Sequence, residues 1–353
     1  MIPTIKIEKR LISKNHHPLV IVELGINHLG KAKLAKKIIL SAKKAGAEII
    51  KMQTHIPEKE MSLEAKKIFP PNAKTSIYNV IKNNSINSND EKKLKRFTEK
   101  NNLIFVSTPF SREAAKRLND INVPAFKIGS GECNNYPLVE YICKFKKPII
   151  LSTGMNDIKS IKKSVKIIEK YKIPYAIMHC TNLYPTKPSE VRLNCLIDLE
   201  KKFPNAVIGL SDHTSSNYTS FAAVAMGASI IEKHYVDDKR KYSGPDISSS
   251  IDFKDLKDLI YGTRIIHESK KGVKKILPKE RAVAKFAFAS VVSIKKIKKG
   301  ERLSLKNIWV KRPGTGDFKA SEFKKILGKK AKKMIPENVQ IRKNLIWIIK
   351  FLK

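Results

Sequence analysis

The sequence predicts a (β/α)8 barrel that carries a small second domain, and three observations predict it. From residue 19 to about 270, short apolar runs alternate with amphipathic stretches of helical period, and the apolar runs number eight. Polar residues gather at the C-terminal end of each run, the end at which the βα loops of a barrel build a reaction site. After residue 271 the rhythm changes to short β-like runs broken by K-K-G and P-G turns.

In order, the runs are LVIVELGIN (19–27), IIKMQTH (49–55), LIFVSTP (103–109), AFKIGS (125–130), PIILSTG (148–154), PYAIMHCT (174–181), AVIGLSDHT (206–214) and SIIEKHYV (229–236). Continuous apolar strands separated by helices imply a parallel sheet buried on both faces. Helices are expected near 31–46, 90–101, 111–120, 137–146, 157–171, 190–202, 217–227 and 253–269. Eight such units point to a closed ring rather than an open sheet, and no G-x-G-x-x-G follows the first run, which argues against a dinucleotide fold. Residues 55–89 form a long connection containing Pro70 and Pro71, of the kind that covers a site or builds a subunit contact. The barrel is assigned to residues 1–270, a Lys- and Gly-rich linker to 271–284, and the second domain to 285–353. The apolar, basic end NLIWIIKFLK reads as a terminal strand or helix docked on that domain.

A chain of 353 residues with 42% hydrophobic content has enough material for a large core plus an appendage. No apolar run reaches the roughly 18 residues of a membrane span. The N-terminus MIPTIKIEKRLISKNHH lacks the apolar segment of a secretory signal, so no membrane association and a cytoplasmic address are expected. Cys133, Cys143, Cys180 and Cys195 form no C-x-x-C pair and read as reduced thiols. The net charge of +39 is spread along helix faces such as KAKLAKKIILSAKK, without an aromatic-interleaved motif. No nucleic-acid partner is therefore expected; such a surface draws in anionic substrates instead. A basic nucleic-acid-binding barrel is the rival from another class.

Two strand ends, KIGSGE (127–132) and STGM (152–155), combine lysine, serine and glycine, and Lys51 ends a third strand. Glycine lets backbone N–H groups approach an oxyanion while Lys127, Ser130, Ser152 and Lys51 add donors and charge, which suits a phosphate ester. His213 in SDHT and His234 in EKHY end the seventh and eighth strands, which a closed ring makes neighbours. Two imidazoles suit Mn2+, Fe2+ or Zn2+ and leave positions for substrate and water; His179 is kept outside this pair. Glu23, Glu132 and Asp246 are the candidate carboxylates. Glu23 either positions or deprotonates a water, or pairs with Lys51 or Lys127.

The blocks KMQTHIPEKEMS, STPFS, KIGSGECNNYPL, PIILSTGM, HCTNLYPT, IGLSDHT and GPD resemble the bacterial N-acetylneuraminate (sialic acid) synthases. FAFASVV, IKKGE and WVKRPGTGDF resemble the antifreeze-like (SAF) domain that follows their barrel. The resemblance runs from about residue 4 to 342. It implies condensation of phosphoenolpyruvate with open-chain N-acetylmannosamine and a divalent metal, most often Mn2+, with Mg2+ or Co2+ as substitutes. It also implies that Lys51, Lys127, Ser130 and Ser152 hold phosphoenolpyruvate, assisted by Thr108, Asn182 and Ser211. His213 and His234 would ligate the metal, and Gln53, Tyr184 and Asp246 would contact the sugar. Arg312 and Phe286 would reach the sugar from the second domain of a partner subunit, in a domain-swapped homodimer. A lysine-crowded segment is poor material for an ice-binding face, so the second domain is read as a lid. Within the same chemistry the alternative is a legionaminate or pseudaminate synthase acting on a 2,4-diacetamido-trideoxy hexose.

Overall fold

The computed structural model describes residues 2–70 and 73–347. Pro71 and the last six residues, 348–353, lie outside the described residues, as does most of the apolar terminal segment. Two compact units divide the chain, residues 1–271 and 272–353.

The first unit opens with an antiparallel hairpin, β1 (Ile5–Ile7) and β2 (Arg10–Ile12). Eight parallel strands follow: β3 (Leu19–Glu23), β4 (Ile49–Thr54), β5 (Ile104–Pro109), β6 (Phe126–Ile128), β7 (Ile149–Ser152), β8 (Tyr175–Cys180), β9 (Val207–Asp212) and β10 (Ile230–His234). Each pairs with the next, and β10 returns to β3 with His234 opposite Glu23, so the sheet closes into the expected barrel.

Helices cover its outside at the expected places, among them 32–45, 112–120, 158–170 and 253–269. Each forms for a legible reason. In 158–170, Ile161, Val165 and Ile168 recur at helical spacing and are buried, and the Asp157 side chain accepts from the Ser160 N–H to cap the first turn. Asp252 and Asp255 form a capping box at the start of 253–269. The helix expected from 190 begins only at Cys195, because Pro188–Glu190 makes a 3-10 turn instead. The long connection after β4 holds short helices at Pro57–Glu60 and Ile77–Asn84.

Alternation along the strands sorts the interior into layers. At the N-terminal end the inward residues are apolar, including Leu19, Ile21, Ile49, Val106, Ile150 and Ile230. Ile5, Ile7 and Ile12 of the hairpin, all fully buried, pack against them and plug the floor of the barrel. This plug is absent from the sequence reading: its runs, IKI and RLI, are three residues each and stand among charges. Two residues further along the strands the inward positions turn polar: Glu23, Lys51, Lys127 and Glu232.

In the second unit β11 (Ser290–Ser293) pairs antiparallel with β12 (Ile308–Lys311). A separate core gathers Val291, Ile297, Leu303, Ile308, Phe318, Ile326 and Ile341. A helix, Glu280–Ala287, begins inside the segment read as linker. The four cysteines are free thiols, and burial pushes Cys133 and Cys143 up to about 12. No helix among the described residues is long and apolar enough to cross a membrane.

Candidate active site at the barrel mouth

The polar layer opens into a cavity at the C-terminal ends of the strands. Lys51, Thr108, Lys127, Ser130, Ser152, Asn182 and Ser211 line it, as do Glu23, Gln53, Tyr184, His213 and His234. Twelve of the fifteen side chains assigned a site role from the sequence therefore meet at one mouth. Asp246 stands at its edge, its Oδ2 accepting from the Ile26 N–H at 3.1 Å and lying 3.5 Å from His234 Nδ1. Phe286 and Arg312 belong to the second unit, where both side chains are exposed.

Period two explains why the mouth is charged. Residue 21 is apolar and inward, so 23 is inward; the same step takes 49 to Lys51, 125 to Lys127, 150 to Ser152 and 230 to Glu232. Glu232 is the residue that the sequence reading missed. It stands two positions before His234 on the same face, hidden inside the apolar run IIEKH.

Its position changes the electrostatics expected for the two lysines. Lys127 Nζ lies 3.1 Å from Glu232 Oε1 and donates to Ser152 Oγ at 2.8 Å. Lys51 Nζ lies 2.8 Å from Glu23 Oε2 and 3.8 Å from Glu232 Oε1, and donates to Thr108 Oγ1 at 3.2 Å. Ser211 Oγ donates to Glu232 Oε1 at 3.2 Å. All four charged side chains are at most 6% exposed, so each must be compensated inside the protein. Burial opposes ionisation of Glu232, yet the Lys127 and Lys51 ammoniums outweigh it and hold the carboxyl down at about 2. Burial likewise opposes the charge on Lys51, and Glu23 and Glu232 carry it upward in balance. Burial lowers Lys127, against the pull of Glu232. The lysines are thus not a bare anion trap: two carboxylates neutralise two ammoniums. Glu232 Oε2 is buried without a hydrogen-bond partner, and the side chain lines the cavity.

The backbone is shaped to let these groups meet. Gly154 donates to Ser130 Oγ at 3.0 Å, and a Cβ there would stand 2.0 Å from Asn182 Oδ1. Gly25, at φ +51°, runs so close to the last strand that a Cβ would stand 2.4 Å from Asp246 Oδ2 and 2.8 Å from His234 Nδ1.

His213 and His234 end β9 and β10 with ring centroids 5.3 Å apart, and Tyr184 stacks on His213 at 4.2 Å. Burial, then the neighbouring His234, lowers His213 to about 3, so its ring is neutral. His213 Nδ1 lies 3.0 Å from the Thr181 carbonyl, to which it must donate, leaving Nε2 with its lone pair. His234 Nδ1 is buried without a hydrogen-bond partner. A fixed tautomer on one ring and an orphaned nitrogen on the other fit a divalent cation of intermediate softness.

Behind the histidines, on the outer face of the strands, Lys233 Nζ lies 3.2 Å from Asp212 Oδ2 and donates to the Thr214 carbonyl at 2.5 Å. Thr219 and Ser220 each donate to Asp212 Oδ2 at 2.7 Å. This buried network clamps the two strand ends that carry the imidazoles.

Two other candidates lie elsewhere. His179 gives its Nε2 to the Val191 carbonyl at 2.6 Å, and Glu132 accepts from Asn135 Nδ2 at 2.6 Å. Among the described residues, the one trio of metal-type donors is His17, His267 and Glu268. It lies toward the N-terminal face, and Lys271 already holds Glu268 at 2.6 Å.

Comparison with known proteins finds a known family for each unit. The NeuB family profile matches residues 38–275 and the SAF domain profile residues 288–346. An N,N'-diacetyllegionaminic acid synthase of Campylobacter jejuni is 37% identical over 333 residues, spanning 92% of this chain and 98% of its own. An N-acetylneuraminate-9-phosphate synthase of Homo sapiens is 30% identical over 343 residues, 96% of this chain and 95% of its own. A crystal structure of N-acetylneuraminic acid (sialic acid) synthetase from Leptospira borgpetersenii, in complex with citrate, superposes with a TM-score of 0.74 at 30% identity. It covers 80% of this chain and 95% of that one.

Proposed function

We propose, for a chain that belongs to the NeuB family, the condensation of phosphoenolpyruvate with the open-chain aldehyde of N-acetylmannosamine and water, giving N-acetylneuraminate and phosphate. The observation that carries this reading is the buried Lys51–Glu232–Lys127 array opening into the same cavity as His213 and His234.

Lys127 and Lys51, with Ser152, Ser130, Thr108, Asn182 and Ser211, hold the phosphate and carboxylate of phosphoenolpyruvate by charge-assisted hydrogen bonds. Held there, C3 of the enol attacks the aldehyde carbon and forms the new C–C bond, and positive charge develops at C2. Glu232, ionised between the lysines, faces that charge. When bound between His213 and His234, a divalent cation, Mn2+ with Mg2+ or Co2+ as substitutes, supplies Lewis acidity to the aldehyde oxygen. Glu23 orients the water that adds to C2 and accepts its proton. The resulting tetrahedral carbon expels phosphate by cleavage of the C2–O bond, leaving the ketone. Gln53, Tyr184 and Asp246 line the side of the mouth that would face the sugar. Phe286 and Arg312, exposed on the second unit, are assigned by resemblance to closing the site of a partner subunit in a swapped dimer.

A second reading, a 2,4-diacetamido-2,4,6-trideoxy hexose as acceptor, draws support from the 37% identity to the legionaminic acid synthase. Both are tested by incubating the chain with phosphoenolpyruvate, Mn2+ and each sugar in turn, following phosphate release and product mass. Turnover with N-acetylmannosamine supports the first reading, and turnover with the diacetamido sugar alone replaces it with the second. Chelator is expected to stop either reaction and Mn2+ to restore it. Phosphoenolpyruvate labelled with 18O at the bridging position should deliver the label into phosphate. No phosphate from any acceptor would remove the synthase reading.

A further inference from the structure

His55 has no part in the reaction as written, yet it sits at a junction. The residue follows β4, is 6% exposed, and stacks its ring on Phe110 with centroids 4.3 Å apart. Its Nδ1 faces both carboxylate oxygens of Glu60, at 2.9 and 3.1 Å, and its Nε2 faces Gln53 Oε1 at 3.0 Å. Gln53 Nε2 in turn donates to Glu23 Oε1 at 2.9 Å. Glu60 closes the short helix Pro57–Glu60 of the long connection, so one chain of contacts runs from that loop to the reacting carboxylate.

Hydrogen-bond inventory fixes the protons along it. Glu23, ion-paired with Lys51 at 2.8 Å, is an acceptor, so Gln53 must present its NH2 to Glu23 and its carbonyl oxygen to His55. The ring nitrogen facing that oxygen must donate. The other faces the Glu60 carboxylate and, where that carboxylate is ionised, donates to it as well. A ring that donates from both nitrogens is an imidazolium, with Glu60 as its counter-ion. Turning the Gln53 amide over would set its carbonyl against the Glu23 carboxylate, which holds only if Glu23 is protonated. Two further ionisable groups stand near: His28, held down at about 4 by burial, then by His55, and Glu132, whose carboxyl is raised by burial and by the neighbouring Glu60.

We propose that His55, anchored by Glu60, is a positioning residue: it fixes the Gln53 amide in the one orientation that keeps Glu23 ionised and aimed to accept the proton of the attacking water. The consequence for turnover rests on the synthase reading above; the protonation of His55 does not.

The test uses the full chain, His55→Gln and Glu60→Gln, with thermal melts to show that each variant folds. In protein labelled with 15N-histidine, the wild type at pH 7 should show a ring with both nitrogens protonated whose signals are missing in His55→Gln and lost in Glu60→Gln. With phosphoenolpyruvate and the accepted sugar, kcat should fall roughly tenfold or more while KM for phosphoenolpyruvate stays within about twofold, because the lysines are untouched. A neutral ring at His55 in the wild type would overturn the proposal. So would an unchanged kcat, or a KM for phosphoenolpyruvate that rises in step with the loss of kcat. If no acceptor supports turnover, the synthase reading fails, while the nitrogen signals still decide the state of His55.

Discussion

Glu232 is where a single side chain decides most. Its carboxylate sits between two buried ammoniums, 3.1 Å from Lys127 and 3.8 Å from Lys51. Glu232→Gln removes the charge and keeps the shape, leaving the lysines undercompensated. Breaking a buried pair of this kind costs about 3–5 kcal/mol, to be read by denaturant unfolding. The pH dependence has a definite sign. The unfolded carboxyl titrates near 4.5 and the folded one near 2, so its contribution is complete above pH 4.5 and disappears as pH falls through 2. The stability gap between wild type and Glu232→Gln should close over that window; a gap independent of pH would contradict the assignment. The residue also marks the limit of legibility. Strand-end lysines, serines and histidines announce themselves by position, and twelve of the singled-out residues do line the mouth. A carboxylate inside IIEKH reads as an interruption of an apolar run. Which of Glu232 and Lys233 faces inward is settled only once the register of the ring is known.

At the scale of elements, the strand ends are held from behind. Asp212 and Lys233 face away from the cavity, but each is the chain neighbour of a histidine, and the Thr214 carbonyl accepts from Lys233. Asp212→Asn weakens this clamp without touching the mouth. Loss of such outer support costs about 10–100-fold in metal affinity. Titration of the apo protein with Mn2+ should show that loss; unchanged affinity would make the pair a matter of folding alone. The eight barrel strands and their helices were readable because apolar runs alternate with helix-period stretches, and even β6, three residues long, sits in such a run, AFKIGS. The hairpin at Ile5–Ile12 was not, because its strands stand among charges outside that alternation and their burial depends on a floor that exists only in the closed ring.

For the whole molecule, the balance of charge is divided between mouth and surface. Within the mouth two lysines are cancelled by two glutamates, whereas the chain as a whole carries +39. Long-range attraction of an anion therefore falls to the exterior, and exterior fields are screened over about 8 Å at physiological salt. Raising ionic strength should lift KM for phosphoenolpyruvate several-fold and leave kcat nearly unchanged; an unaltered KM would assign the surface charge no part in capture. Assembly is tested at the same scale. If Arg312 serves the site of a second subunit, Arg312→Ala and Lys51→Ala chains, each nearly inactive, should regain activity as mixed dimers. Verified subunit exchange without recovery would reject the swap.

Closure of the ring has a further consequence, for synthesis. Lys51 emerges early and Lys127 later, but the carboxylate between them arrives at residue 232, on β10, the strand that must find β3. Until some two hundred residues after its first strand has left the ribosome, Lys51 has only Glu23 beside it, Lys127 has no internal counter-ion, and the sheet has two open edges. The last staves of the barrel thus bring both the missing charge and the seal, so a polypeptide stopped short of them has no partial version of this interior to settle into.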